Sequence, residues 1–198
     1  MTPSRVEFRL DIDKVIATVV YFSSHQLPEL TPAKLFKLMF LAEKYHLVRY
    51  GRPITGDRYD AMKDGPVPSF TYDLFKKQVL KKPFSDPARR LSAQLTINKT
   101  KPVPELSSVS SFDKDQLSVS DIKALDYVIL TFGNLPFSKL RKITHDMAAY
   151  DNAWRSKGNR ESVPMKFEDF FEGDEDAVLE VREEVIENQV LDKVFAKR

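Results

Sequence analysis

The sequence contains no cysteine. This absence excludes disulfide bonds, thiolate metal sites and a cysteine nucleophile, and nothing in the sequence points to secretion. No run of apolar residues approaches the length needed to cross a bilayer, and the N-terminal segment has no apolar signal core. The sequence therefore predicts a cytoplasmic protein with no membrane-spanning segment.

The chain also carries little net charge, +2, but its distribution is uneven. Residues 1–101 have a net charge of +8, and residues 102–198 have a net charge of −6. Such an asymmetry fits either partner surfaces of opposite sign or two faces that attract each other within the fold. With 198 residues, of which 42% are hydrophobic, the chain is long enough to bury a sizeable core. We predict a single domain over residues 1–198.

Histidines are few and far apart: His25, His46 and His145. Metal sites usually use a closely spaced pair of histidines on one helix, so we predict no metal and no cofactor. Thr144-His145-Asp146 has the composition of part of a catalytic triad. On a helix, however, adjacent residues point about 100° apart, and Asp146 cannot orient the imidazole of His145. We therefore predict no catalytic residue, and a binding protein rather than an enzyme.

The segment Thr31–Tyr50 predicts a central buried helix. Thr31 suits the N-cap and Pro32 the first helical position, while Gly51 provides a left-handed end. Apolar residues recur on more than one side of this segment, as expected for a buried helix. Further helices are predicted for Asp11 to about His25, from near Ser69 to about Lys81, after a capping box at Ser118–Asp121, and from Pro136.

A small antiparallel sheet of about three strands is predicted beside these helices. Its expected strands are the extended run Arg58–Met62, the alternating segment Leu91–Ile97 and the proline-containing run Pro102–Leu106. The segment Gly65-Pro66-Val67-Pro68 is predicted to be a rigid corner, and the chain is expected to be irregular around Trp154. The predicted fold class is α+β, mostly helical.

The C-terminal segment is strongly acidic. Between Glu168 and Glu187 the sequence has ten acidic residues and one basic residue, Arg182. Two rows of apolar residues predict a long amphipathic helix over about residues 174–196. This helix either docks on its own domain, which we favour, or offers part of its surface to a partner or to a second copy of the chain.

Several short motifs occur in an order that resembles one protein family. They are Lys34-Leu35-Phe36-Lys37-Leu38, Tyr50-Gly51-Arg52-Pro53, Met62, Gly65-Pro66-Val67-Pro68, Thr144-His145 and Trp154. Each motif is weak alone, but their order and spacing are more specific. Over a core region of about residues 11–160, the chain resembles the Panacea (SocA-like) antitoxin domain.

The resemblance implies the antitoxin of a bacterial or phage toxin–antitoxin pair. Such a protein neutralises its cognate toxin, usually by direct protein contact. Six residues at or near the matched motifs are the candidates for contacting the partner or supporting the residues that do: Tyr59, Met62, Val67, Phe70, His145 and Trp154. Aromatic anchors of this kind are typical of the centre of a protein–protein interface. A homo-oligomer is left open.

Two alternative functions also stay open. A protease adaptor would deliver a client toxin to a cytoplasmic protease, as some members of the family do. A transcriptional repressor would bind nucleic acid through the basic stretch that contains Lys76, Lys77, Lys81, Lys82, Arg89 and Arg90. The nearly balanced net charge and the lack of a recognition-helix pair with a tight turn do not favour nucleic acid.

Overall fold

The computed structural model describes residues 7–83, 85–109, 114–171 and 185. These residues form helices and two small antiparallel sheets, so the predicted α+β class is confirmed. The helices are α1 (Ile12–Ser24), α2 (Pro32–Tyr50), α3 (Ser69–Leu74, extended by a π-helical turn at Phe75–Val79), α4 (Asp86–Ser92), α5 (Val119–Phe132), α6 (Phe137–His145) and α7 (Ala148–Arg155). The strands are β1 (Tyr59–Met62), β2 (Gly65–Pro68), β3 (Leu95–Asn98), β4 (Glu105–Ser108) and β5 (Ser162–Pro164), with 3-10 turns at Lys114–Gln116 and Phe167–Phe171.

Helix α2 is the predicted central helix, with the predicted ends. The Oγ1 of Thr31 accepts a hydrogen bond from the backbone N–H of Lys34 at 3.3 Å, and Gly51 ends the helix with φ 67°. The helix packs against α5, β2, α6 and the last 3-10 turn, and its core side chains come from more than one side of the cylinder: Leu35, Phe36, Leu38, Met39, Phe40, Leu41, Ala42 and Leu47. This all-round burial explains why the segment has no single polar face.

Two further helix starts were also predicted from sequence and are confirmed. Asp11 caps α1, because its side chain accepts a hydrogen bond from the N–H of Lys14 at 3.0 Å. Ser118 and Asp121 form a capping box at the start of α5, in which each side chain accepts from the backbone N–H of the other. None of the described helices is both long enough and apolar enough to cross a membrane.

A three-stranded antiparallel sheet exists, but β1 is its only strand that corresponds to one of the three predicted strands. Strand β1 lies between β2 and β5, with Asp60 opposite Val67 and Ala61 opposite Val163. The prediction of a rigid corner at Gly65–Pro68 is therefore wrong, because this segment is a strand. Its prolines are tolerated since β2 lies at the edge of the sheet, where an N–H need not be donated. Strands β3 and β4 form a separate two-stranded sheet.

Other boundaries also differ from the predictions. Leu91 belongs to α4, which begins with Pro87 in its first turn, where the missing N–H costs nothing. The chain around Trp154 is not irregular, because Ala148–Arg155 forms α7. The long C-terminal helix predicted over residues 174–196 lies outside the described residues, apart from Val185, which is 4% exposed.

Candidate partner-binding groove

A groove of about 680 Å³ lies between the start of α2, the β1–β2 hairpin, α3 and the segment that follows α7. Its walls are mostly apolar or aromatic: Ala33, Phe36, Met62, Val67, Tyr72 and Trp154. Its charged residues include four basic and two acidic side chains, namely Lys37, Lys63, Lys157, Arg160, Asp64 and Glu161. We call this feature the hairpin groove.

A stack of three rings supports Trp154, which lines one wall of the hairpin groove. The imidazole of His145 stacks on Tyr150, with centroids 4.3 Å apart, and Tyr150 stacks on Trp154 at 5.8 Å. The Tyr150 hydroxyl donates a hydrogen bond to the carbonyl of Met62 at 2.9 Å, and burial raises the pKa of this hydroxyl to about 12. The Nζ of Lys157 lies 4.8 Å from the Trp154 ring centroid, within the range of a cation–π contact. The stack therefore fixes Trp154 relative to the hairpin.

The buried side chain of Lys37 contributes to the inner surface of the groove. Lys37 is only 1% exposed, and its Nζ donates a hydrogen bond to the carbonyl of Pro66 at 2.8 Å. Burial lowers the pKa of this amine to about 7, because removal from water disfavours the ammonium form. The negative charge of Asp64 opposes this shift, and the positive charge of Arg141 adds to it.

Gly65 is required where Lys37 meets the hairpin. Its φ of 107° lies in a region that other residues rarely adopt. A Cβ at this position would lie 2.7 Å from the Cε of Lys37, 3.1 Å from the Oγ1 of Thr144 and 3.2 Å from the Cδ2 of His145. The missing side chain thus lets α2 and α6 approach the hairpin together.

His145 lies next to this contact, and only part of its hydrogen-bonding capacity is used. Its ring has a hydrogen bond with the backbone of Asp64, but its Nε2 is buried and has no hydrogen-bond partner within the described part of the chain. Burial lowers the pKa of His145, and the positive charges of Arg141 and Lys37 lower it further. A buried ring nitrogen without a partner is uncommon in folded proteins and calls for an explanation.

The six predicted contact residues divide into two groups. Met62, Val67 and Trp154 line the hairpin groove, and His145 supports Trp154 through the ring stack. Tyr59 and Phe70 do not line it. Their roles as partner contacts or supports stay a prediction.

The placement of Tyr59 follows from the period of β1. Successive residues of a strand face opposite sides, so Tyr59 and Met62 point in different directions. Tyr59 is 2% exposed and packs against Phe40 and Phe170, with ring centroids 5.5 and 5.9 Å away. Tyr59 is therefore part of the hydrophobic core.

Two buried carboxylates brace the loop and helix on which the hairpin depends. Glu43 of α2 accepts hydrogen bonds from the backbone N–H groups of Ile54, Thr55 and Gly56 and from the Thr55 hydroxyl, at 2.9–3.2 Å. Burial raises the pKa of Glu43 to about 7, despite the opposing effect of these hydrogen bonds.

Asp57 has a similar role at the start of α3. Its carboxylate accepts from the N–H groups of Phe70 and Thr71 and from the Thr71 hydroxyl, at 2.7–2.9 Å. Burial raises its pKa, and these hydrogen bonds oppose the shift. The half-buried Phe70 therefore lies at a braced helix start and does not line the groove.

A third polar cluster joins the end of α2 to the start of α5, and sequence reasoning did not find it. The buried Asp121 lies 2.6 Å from the Nζ of Lys14, 3.2 Å from Arg52 and 3.1 Å from the Nε2 of His46. Burial alone would raise the pKa of Asp121, but hydrogen bonds from His46, Lys14 and Ser118 hold it well below its usual range.

This cluster contains a serine, a histidine and an aspartate, but not in the geometry of a catalytic triad. A triad places the serine and the carboxylate on opposite ring nitrogens. Here Ser120 and Asp121 both lie 3.1 Å from the Nε2 of His46, while the Nδ1 donates to the carbonyl of Arg52 at 2.6 Å. In the described ranges, no group of three or more histidine, aspartate or glutamate side chains is placed to hold a metal ion.

The basic stretch considered for nucleic acid is partly engaged in local contacts. Lys77 forms an ion pair with Asp73 at 2.7 Å, and Arg90 pairs with Asp13. The Nζ of Lys76 lies 5.2 Å from the ring centroid of Tyr72. These pairs reduce the positive charge available to phosphates.

Sequence reasoning missed Lys37, Tyr72 and Lys157 as groove residues. One signal could have identified Lys37, because a lysine within the apolar stripe of a buried helix needs a specific polar environment. No comparable signal marks Tyr72 or Lys157, whose positions depend on how α3 and the segment after α7 pack around the hairpin.

Comparison with known families agrees with the motifs. The family model described as "Antitoxin SocA-like, Panacea domain" matches residues 35–155. The matched range contains α2 from Leu35 onwards, the whole β1–β2 hairpin and α7 with Trp154. No curated protein and no solved structure matches the chain.

Proposed function

The chain belongs to the SocA-like antitoxin family, which is defined by the Panacea domain, and on this premise we propose that it neutralises a cognate toxin by binding it directly. The proposed antitoxin acts in the cytoplasm and without catalysis of its own. The hairpin groove is the proposed centre of the interface. The observation that carries this proposal is that Met62, Val67 and Trp154, three of the six residues selected from family motifs, line one groove.

The composition of the groove supports this role. The strongest contributors to protein–protein binding are typically aromatic side chains in a pocket surrounded by a polar rim. Trp154 and Tyr72 provide the aromatic surface, and the exposed Lys63 and Arg160 provide part of the rim. A stable interface buries about 1,600 Å² in total, so the groove would form the centre of a wider contact.

The rigidity of the groove also supports binding. The ring stack holds Trp154, the carboxylates of Glu43 and Asp57 brace the surrounding backbone, and Arg141 bonds both Asp64 and the carbonyl of Lys63 at 3.1–3.2 Å. A surface that is ordered before binding loses less conformational entropy when the partner docks. Occlusion of the toxin by a preformed surface is therefore the proposed mechanism.

Co-expression with the protein encoded beside this chain tests the proposal. We expect the chain to restore growth and to co-purify with that protein. Trp154→Ala and Tyr72→Ala should each weaken binding by at least about tenfold, as expected for central aromatic residues. Leu130→Asp is the matched control, because Leu130 is 83% exposed on α5 and does not line the groove. Absence of both rescue and co-purification with the wild-type chain would contradict the proposed function.

Two further measurements separate this proposal from its alternatives. An occluding antitoxin inhibits the purified toxin without any protease, whereas an adaptor lowers toxin levels only when the protease is present. A repressor would bind DNA with an affinity that falls steeply with salt and is lost on charge reversal at Lys76, Lys77, Lys81 and Lys82. We expect inhibition without protease and no such DNA binding.

A further inference from the structure

We propose that the hairpin groove contains a carboxylate subsite, in which the Lys37 ammonium binds an aspartate or glutamate side chain inserted by the partner protein. This inference rests on the proposed function and specifies the chemistry of the partner segment: an acidic residue flanked by apolar ones. Met62, Val67 and Trp154 would contact the flanking apolar side chains.

The first observation is that Lys37 has unused donor capacity. An ammonium group has three N–H donors. Lys37 uses one, to the carbonyl of Pro66, and within the described residues it has no carboxylate within ion-pair distance. The nearest acidic influence is Asp64, whose carboxylate is already bonded by Arg141 at 3.1 Å. A buried cation without a counter-ion is unfavourable, and an incoming carboxylate would relieve that cost.

A second, independent observation concerns the neighbouring imidazole. His145 also contacts the Gly65 position, and its buried Nε2 has no partner in the described chain. The positive charge of Lys37 lowers the pKa of His145, which shows that the two groups lie close together. The unused donors of Lys37 therefore face this glycine, whereas the Nε2 of the neutral His145 ring is an acceptor and would bond a carboxylate only after the ring has bound a proton.

The charges around the groove favour an acidic ligand. Lys63, Lys157 and Arg160 accompany Lys37, against Asp64 and Glu161. Because Asp64 is paired with Arg141, the field at the groove is positive. Away from water a hydrogen bond between an ammonium and a carboxylate is stronger than one between neutral groups, and it would anchor the partner segment in one register.

The first test uses the full chain alone, with lysine ε carbons labelled with ¹³C for NMR. The probe is N-acetylglutamic acid N-methylamide, and its matched control is N-acetylglutamine N-methylamide. We expect the glutamic acid probe to shift the Lys37 signal saturably and to raise its pKa by about one unit, and the glutamine analogue to bind at least about tenfold more weakly. Lys37→Met should abolish binding, while Lys123→Met, an exposed control on α5, should not.

Equal binding of the two probes, or a Lys37 signal that does not respond to either, would overturn the proposal.

The second test uses the co-expressed toxin. If the wild-type chain and Lys123→Met restore growth but Lys37→Met does not, although it retains the thermal midpoint of the wild type, the subsite contributes to neutralisation. Rescue by Lys37→Met equal to that by the wild type would refute the subsite and leave the antitoxin function standing. Failure of the wild type to rescue would refute the function, and the probe titration would still decide the subsite.

Discussion

Two buried charged side chains of α2 have opposite surroundings, although they are six residues apart. Glu43 accepts hydrogen bonds from three backbone N–H groups and one hydroxyl, all within its own fold. Lys37 donates to one carbonyl and meets a groove. Both are 1% exposed, so burial alone does not distinguish them. The difference lies in how far each group's hydrogen-bonding capacity is used.

This difference separates a polar group that stabilises the fold from one that can still bind a ligand. A saturated carboxylate holds the backbone that it bonds, and another ligand would have to displace those bonds. An ammonium with unused donors costs stability in the free protein and gains most when an anion arrives. The helix therefore carries a brace for the loop before β1 at Glu43 and a candidate binding group less than two turns earlier, at Lys37.

The largest effect is expected from removing the brace. Glu43→Ala leaves the N–H groups of Ile54, Thr55 and Gly56 without an acceptor in a buried site, and it also opens a cavity. We expect a loss of about 3–5 kcal/mol in the free energy of unfolding. Glu43→Gln retains the shape of the side chain, but its amide NH₂ group would point at backbone N–H groups that are also donors. We expect this variant to lose about 1–3 kcal/mol in the free energy of unfolding. Urea denaturation followed by circular dichroism measures both.

The control for this prediction is Glu161→Gln. Glu161 is exposed at the groove rim, so its substitution should change stability by less than about 0.5 kcal/mol. A Glu43→Ala protein as stable as this control would mean that Glu43 is not a brace.

The next effect is a dependence of stability on pH, with opposite slopes for the two groups. The pKa of Glu43 is raised from 4.5 to about 7, so the native state binds more protons than the unfolded state in this window, and stability falls as pH rises from 4.5 to 7. The pKa of Lys37 is lowered from 10.5 to about 7, so the unfolded state binds more protons above pH 7, and stability rises from pH 7 to 10.5. Each slope is at most about 1.4 kcal/mol per pH unit.

Difference profiles between variants and wild type isolate these slopes from those of other groups. In the Glu43→Gln protein, stability should no longer fall between pH 4.5 and 7. In the Lys37→Met protein, stability should no longer rise above pH 7. Asp64, Arg141 and His145 also face Lys37, and all three are retained in both variants. Parallel profiles for Lys37→Met and wild type above pH 7 would show that Lys37 titrates as an exposed lysine does.

The sequence predicted helix ends better than strand partners, and the reason is the range of the interactions. Thr31, Gly51 and Ser118 act on their own helix ends within a few residues, so their chemistry is visible locally. Pairing of β1 with β5 joins residues about one hundred positions apart. No local pattern specifies such a partner. The segment Gly65–Pro68 was predicted to be a corner because prolines are more typical of turns than of strands.

The groove was predictable only in part, for a similar reason. Motif positions identified Met62, Val67 and Trp154, which line it. The same reasoning selected Tyr59, because a motif position does not reveal which face of a strand is buried. The unused capacity of Lys37 could not be foreseen either, since it depends on Pro66, Gly65 and His145 meeting from separate elements.

Of the two buried groups of α2, Lys37 is expected to lose the least stability on substitution. Lys37→Met removes a buried amine that has one hydrogen bond and replaces it with an unbranched apolar side chain of similar length. Lys37→Met removes the cost of burying the amine but also loses the bond to the Pro66 carbonyl, so we expect either a smaller loss than in the Glu43 variants or a gain in stability at pH 7. Thermal unfolding of the Lys37→Met and Glu43→Gln proteins under the same conditions compares the two changes in stability directly. A loss above about 2 kcal/mol would mean that Lys37 stabilises the fold as Glu43 does, and the two residues would then differ in charge but not in role.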